Sequence, residues 1–439
     1  MSWRSLLTFL GSGAPNNAAL DTLARSAKKF LDQRSIKGLD VVRMYGYDSE
    51  IDALKRKRTP YSDPFDQVEA TSKRDDFTEA DKLLAAYYVV KASVDIHTAK
   101  DERTKAKIGC RDMALHEAVA RYLYENKETY GSLLNLLNSI GPGQELSKDQ
   151  SSALKMATKS LYRDFLTTFK GIVCATPMAA ANHEFRSFFR PDLVVVDEAG
   201  RLQEIELMSI IAFYDGPYII VGDQMQFRPY INFDPTAKNA VQSQNPFARQ
   251  LTYSTLERAV DAGAVDAYFT FNHRAYAQLS TLPSELIYRG VMGPYRSGKH
   301  QYPDSVKSFN KFLKEIVPEL PGAQNRVMIT LPGSWVSYIG TSARNLAHAR
   351  WAVSQAIRAI NDQSLTGLRG EPIEILMMPY YRAQVQTYQE LLQKALLDNA
   401  LTSEQRGRIR VATLDASQGD EADMTFIDLT RTDDIGFCE

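Results

Sequence analysis

An α/β fold built on parallel sheets is predicted by three features of this chain. Leu193 to Val196 and Tyr218 to Val221 are apolar on both faces and too short for helices, which reads as a pair of buried parallel strands. Between them, Gln203 to Phe213 has the length and pattern of a crossover helix. Each run also ends abruptly in acid, Asp197-Glu198 after the first and Asp223 one glycine beyond the second. In an open parallel sheet ligands sit beyond the carboxyl ends of the strands, so both acids are expected at one edge.

The chemistry suited to that edge is phosphoryl transfer, in which a strand-end aspartate holds magnesium and a neighbouring group orients the attacking water. Asp197 fits the first role and Glu198 the second, although the Asp-Glu-Ala-Gly run taken alone can equally start an ordinary loop. Gly222-Asp223-Gln224-Met225-Gln226 adds Gln226, whose amide both donates and accepts towards a terminal phosphate or water. Together the two stretches resemble motifs II and III of a superfamily 1 helicase, in the branch that includes the nonsense-mediated-decay helicase and senataxin. That resemblance implies a pair of RecA-like α/β domains, ATP and Mg2+ as cofactors, and single-stranded RNA or DNA as partner.

The elements follow in order. Leu6 to Leu10, the run Gly11 to Asn17 and the periodic Ala19, Leu20, Leu23 and Ala24 predict strand, loop and helix. Gly11-x-Gly13 is no Walker A loop, because no Gly-Lys-Ser/Thr follows it. Ala14-Pro15-Asn16-Asn17, leading to Asp21, is similar instead to helicase motif Ia, which implies that Pro15 and Asn16 touch the nucleic-acid backbone; a plain helix cap is the alternative. Val41 to Gly46 predicts a second strand. Residues 48–76 turn polar, with a basic cluster at Lys55-Arg56-Lys57-Arg58 that reads as a solvated loop. About 77–169, apolar residues at helical spacing (Leu83, Leu84, Tyr87; Leu115, Val119, Leu123), split at Gly141-Pro142-Gly143, predict an all-helical insertion, either a nucleic-acid clamp or a stalk. Gly171 to Pro177 resumes the sheet with Cys174 in its core. Thr176 either ends that strand in a turn or, by the resemblance, faces nucleic acid.

Residues 231–263 lead out of the first domain. Phe271-Asn272-His273-Arg274, then Leu282-Pro283-Ser284 and Tyr288-Arg289-Gly290, resembles motif IV, with His273 and Ala275 departing from its usual Tyr-Arg-Met-His-Pro form. The resemblance implies that Arg274 reaches the triphosphate, a role suited to a planar, permanently charged fork; a surface ion pair is its ordinary alternative. Arg326 to Ile329 reads as a strand, and Ser342-x-x-Asn345 as a helix start capped by the serine. Ile373 to Gln384 gives a buried strand, a Pro379-Tyr380 turn and a helix, similar to the family's Thr-Pro-Tyr-x-x-Gln segment with Met378 in place of threonine. Tyr380 can stack on single-stranded nucleic acid or simply plug the turn. Arg410 to Glu421 is close to motif V, which implies that Thr413 faces nucleic acid, Gly419 admits the nucleotide and Glu421 contacts its sugar. Phe426 to Leu429 is the strand that follows.

With 439 residues the chain has room for two large domains, expected at 1–232 and 233–439, the helical insertion lying in the first. Formal charge is -1, from 52 Lys and Arg against 53 Asp and Glu, so any nucleic-acid contact must be a local groove. Three scattered cysteines argue against a disulfide framework or structural zinc, and no run suits a membrane helix, so an intracellular protein of nucleus or cytoplasm is expected. The family sets a Walker A loop before motif Ia and an arginine finger, worth about 10³ to 10⁵ in rate, after the Gly436-Phe437 segment. Neither is in this sequence, which reads both domains as incomplete and the chain as a helicase fragment without ATPase of its own. The alternatives are a non-hydrolysing nucleic-acid- or partner-binding module and an unrelated Mg2+-dependent α/β hydrolase.

Overall fold

The computed structural model describes residues 5–10, 17–46, 110–139, 147–231, 246–296, 298–322, 324–417 and 419–432. Pro15 and Asn16, the basic cluster, the start of the expected insertion, the 141–143 break and Gln418 lie outside them. Two compact units divide the chain, 1–264 and 265–439.

The first unit is organised on a five-stranded parallel sheet. Its strands are β1 (Ser5–Leu10), β2 (Asp40–Met44), β3 (Gly171–Ala175), β4 (Leu193–Asp197) and β5 (Tyr218–Ile220), in the spatial order β2-β3-β1-β4-β5. Alternation along the strands separates two cores. On one face, Val41 of β2 and Cys174 of β3 pack with Leu20, Ala24 and Leu31 of helix α1 (Asn17–Gln33). On the other, Val42, Met44, Val173, Val194 and Val196 pack beneath α2 (Leu115–Glu125), α3 (Gly131–Ser139), α4 (Lys148–Thr168), α5 (Pro177–Ala180), α6 (His183–Phe188) and α7 (Glu204–Ile211). The described residues between β2 and β3 are thus largely helical. Ser147 and Gln150 start α4 with reciprocal bonds of 3.2 and 3.1 Å, a capping box that satisfies two orphan donors.

A buried ion pair ties α1 to β2: Arg43 Nε donates to Asp21 Oδ1 at 2.9 Å, and both side chains are buried. The Tyr45 hydroxyl donates to the same carboxylate at 2.9 Å and accepts from the Cys110 amide at 2.8 Å. Cys174 lies in the core as expected, its thiol pushed up to about 12 by burial. Short helices α8 (Ala248–Leu251) and α9 (Thr255–Asp261) belong to this unit as well.

The second unit carries a three-stranded parallel sheet whose first strand in sequence lies in the middle. Preceding it are β6 (Phe271–Asn272), α10 (Thr281–Leu286), β7 (Gly293–Pro294), α11 (Asp304–Ile316), the antiparallel pair β8 (Ser337–Ile339) and β9 (Ser342–Arg344), and α12 (Leu346–Asn361). The sheet is formed by β10 (Ile375–Pro379), β11 (Ile409–Val411) and β12 (Met424–Asp428), with α13 (Arg382–Leu397) and α14 (Ser403–Gly407) between the first two. Ala349, Val353, Ala356 and Ile360, one face of α12, bury against Ile375 and Met377 of β10 and Tyr388 and Leu392 of α13.

Three expectations fail. β5 is not buried on both faces: it ends the sheet order, and among the described residues Ile219 and Ile220 are 48% and 39% exposed because no further strand lies beyond it. Residues 326–329 are not a strand: they lie in a loop held by side chains, Asn325 Nδ2 donating to the Tyr276 carbonyl at 2.9 Å and Arg326 to that of Gln278 at 3.0 Å. Ser342 does not cap α12. Asn345 does, accepting from the His348 amide at 3.2 Å, because Ser342 still belongs to β9 and its hydroxyl accepts from Ala383 N at 3.0 Å, at the start of α13.

Candidate functional site

Parallel pairing puts the strand ends of the first sheet at one edge, with Leu10 in register with Asp197 and Ala175 with Phe9. The ends of β1 and β4 therefore stand side by side, with β3 and β2 beyond β1 and β5 beyond β4, so the strand order turns between them, where an open parallel sheet places its ligand crevice.

Asp197 ends β4 half-buried, and burial raises its carboxyl above the usual aspartate range against the opposing bond from the Glu198 amide, 2.9 Å from Oδ1. Glu198 turns the chain in the left-handed region, φ 53°, a conformation that costs a non-glycine residue energy and re-aims its side chain off the strand line. The β4 and β5 exits then run together. Val221 N donates to Val196 O at 2.8 Å and Ala199 N to Val221 O at 2.9 Å, extending the sheet pairing into both loops. Glycines make this possible: a Cβ on Gly200 would lie 2.7 Å from the Asp223 carbonyl oxygen, and one on Gly222 would lie 2.8 Å from the amides of Ala199 and Gly200 and from Leu256 Cδ2.

Asp223 shapes the second loop. Its Oδ1 accepts from Met225 N at 2.9 Å and its Oδ2 from Gln226 Nε2 at 3.0 Å, which leaves the exposed Gln226 on the same edge as Asp197 and Glu198. Beneath lies Arg201, buried, its guanidinium 5.1 Å from the Phe227 ring centre. Sequence reasoning passed over Arg201; the signal was a cation placed directly after the Asp-Glu-Ala-Gly turn. From α9, Glu257 accepts from Arg228 at 2.8 Å and brackets the β5 exit loop. Thr176 also stands at this edge, where its hydroxyl caps α5 by accepting from Ala179 N at 3.3 Å.

In the second unit Arg274 and Glu421, 147 positions apart in sequence, meet: Nε donates to Oε1 at 2.6 Å, with both side chains largely exposed. An exposed pair of this kind contributes little stability, so it holds the arginine without committing it. Gly419, exposed, adopts φ +82°, a conformation that itself calls for glycine. Pro379 and Thr413 lie together at the carboxyl edge of the second sheet, where Leu414 N donates to Pro379 O at 3.2 Å. Tyr380, half-buried, donates its amide to Asp428 O at 3.3 Å.

Among the described residues no group of three or more His, Cys, Asp or Glu gathers to cage a metal. A lone, partly desolvated strand-end carboxylate fits Mg2+, which takes one or two protein carboxylates and completes its shell with phosphate oxygens and water.

Comparison with known proteins places these features in a family. Models described as AAA domain match residues 12–232 and 251–439. The human NFX1-type zinc finger-containing protein 1 is 22% identical over 289 residues, 65% of this chain and 13% of that protein. The Schizosaccharomyces pombe helicase required for RNAi-mediated heterochromatin assembly 1 is 25% identical over 252 residues, 56% of this chain and 21% of that protein. The chain thus spans less than a quarter of the length of these curated relatives. AAA-type domains imply a RecA-like α/β fold and nucleotide binding.

Proposed function

As this chain belongs to the superfamily 1 helicases of the nonsense-mediated-decay helicase and senataxin type, we propose that it serves ATP-driven movement on single-stranded RNA or DNA. The observation that carries this reading is the fusion of the β4 and β5 exits through Gly200 and Gly222, which sets Asp197, Glu198 and Gln226 on one edge.

In the proposed division of labour Asp197 holds Mg2+, Glu198 takes the proton of the attacking water, and Gln226 positions that water against the terminal phosphate. Bound Mg2+ supplies charge neutralisation on the phosphate oxygens. Within the second unit Arg274 is the proposed phosphate-binding fork, and Gly419 and Glu421 are the proposed nucleoside contacts. The proposed nucleic-acid contacts are, in the first unit, Thr176 together with Pro15 and Asn16 of the motif Ia resemblance and, in the second, Pro379, Tyr380 and Thr413, Tyr380 by stacking. We place the two domains at 1–232 and 233–439, in an intracellular protein.

Titration of single-stranded RNA and DNA with and without Mg·ATP tests the proposal. Affinity that changes with Mg·ATP, and no longer changes in Asp197→Asn, is the expected result; Glu198→Gln should keep the change in affinity and lose nucleotide cleavage. Nucleic-acid binding that ATP leaves unaltered would replace it with a binding module on a helicase scaffold. Nucleotide cleavage indifferent to nucleic acid would point to a plain hydrolase.

A further inference from the structure

A second cluster of reactive side chains lies in the 265–439 unit. Ser334 Oγ is 3.2 Å from His348 Nε2, and His348 Nδ1 is 2.9 Å from Asp428 Oδ1. Three residues 14 and 80 positions apart are thereby aligned hydroxyl to imidazole to carboxylate.

The carboxylate is built to stay charged. Oδ1 also accepts from Thr430 N at 2.8 Å, and Oδ2 accepts from Gln384 Nε2 at 2.7 Å and Tyr388 OH at 2.8 Å. Burial on its own would raise the Asp428 carboxyl, but the bonds from His348, Gln384 and Tyr388 prevail and hold it below the usual range. An anionic Asp428 fixes the imidazole tautomer, because Nδ1 must carry the proton it donates, and Nε2 is left as an acceptor facing the serine hydroxyl. Gln384 is itself pinned, accepting from Asn345 N at 2.8 Å, so the cluster rests on the starts of α12 and α13.

Ser334 is half-buried in a turn after Gly333, φ +74°, and its neighbour Trp335 is 70% exposed, an aromatic surface beside the hydroxyl. His348 is the third residue of α12, so the amides of Leu346 and Ala347, which open that helix, stand next to it. Opening amides of a helix have no intrahelical acceptor and favour negative charge.

We propose that Ser334, His348 and Asp428 form a serine-hydrolase centre for small acyl esters. Ser334 Oγ attacks the ester carbonyl carbon as its proton passes to His348 Nε2. The ester C–O bond breaks, and the departing alcohol takes that proton from His348. Water then attacks the acyl-serine, again giving a proton to His348; Ser334 Oγ leaves, recovers the proton, and a carboxylic acid is released. Asp428 is a positioning residue throughout.

A fluorophosphonate probe on the full chain, with the adduct mapped by mass spectrometry, and p-nitrophenyl acetate turnover test this without ATP or nucleic acid. Expected is a Ser334 adduct, no adduct in Ser334→Ala, and a fall of about 10²- to 10⁴-fold in His348→Gln. Asp428→Asn is expected to lower kcat while leaving KM unchanged, which a packing role alone would not do. If that variant fails to fold, the serine and histidine variants, checked by circular dichroism, still decide. Labelling no greater than in Ser334→Ala, or equal in His348→Gln, would overturn the proposal.

Discussion

Gly222→Ala isolates the junction on which the nucleotide edge depends. Carbon contacts normally lie at about 3.5–4.0 Å, so an added Cβ at 2.8 Å from three atoms demands a shift of roughly 0.7 Å or more. Leu256 can rotate away, but the Ala199 and Gly200 amides are backbone held by the Ala199 N to Val221 O bond. Overpacking of this kind costs about 1–3 kcal/mol, and the alanine returns about 0.4–1 kcal/mol by restricting the unfolded chain. A net loss of roughly 1–2 kcal/mol corresponds to a melting point about 2–8 °C lower for a unit of this size. Gly131→Ala is the control, since a Cβ there meets nothing within 4 Å, and it should melt at or above the wild type. Thermal unfolding by circular dichroism reads both. Should Gly222→Ala melt as the wild type does while the control behaves as expected, the close approach of the two exit loops is not the constraint described.

Three further outcomes follow from the same contacts. Asp197 holds its proton more tightly in the folded state, so the stability it contributes is full below the unfolded aspartate range near ~4 and is lost as pH rises through the raised folded value. Asp197→Asn, which keeps the acceptor for the Glu198 amide, should therefore melt higher than wild type at pH 7, with the gap closing in acid. Arg43→Ala removes the guanidinium from a buried ion pair and should destabilise the fold by up to about 3–5 kcal/mol, read by urea unfolding. Burial pushes the thiols of Cys110 and Cys174 up to about 11 and about 12, so iodoacetamide at pH 8 should spare both in the native chain and modify both in denaturant.

Much of the first sheet was legible because its strands are short apolar runs that stop abruptly, as at Val196-Asp197 and Cys174-Ala175-Thr176. The crossover helix after Asp197 was legible for the same reason, from its length and pattern. Spatial order was not: nothing local in Leu6 to Leu10 says that β1 lies between β3 and β4, since that depends on which faces find cover. Local chemistry also misled where two neighbours compete for one role. Ser342 and Asn345 are both good helix caps, and only the β8–β9 pairing, which keeps Ser342 in a strand, hands the cap to Asn345. The meeting of Arg274 with Glu421, and the alignment of Ser334, His348 and Asp428, bring together residues far apart in sequence, beyond the reach of any spacing pattern.

The most direct measurement is Mg·ATP binding, by equilibrium titration with a fluorescent analogue, to the wild type and to Asp197→Asn. That variant is expected to be the more stable protein, so a loss of binding cannot be assigned to unfolding. Binding that requires Mg2+ in the wild type and is lost in Asp197→Asn is the expected result. Equal affinity in the two proteins, or affinity indifferent to Mg2+, would contradict a nucleotide site at the carboxyl edge of β4.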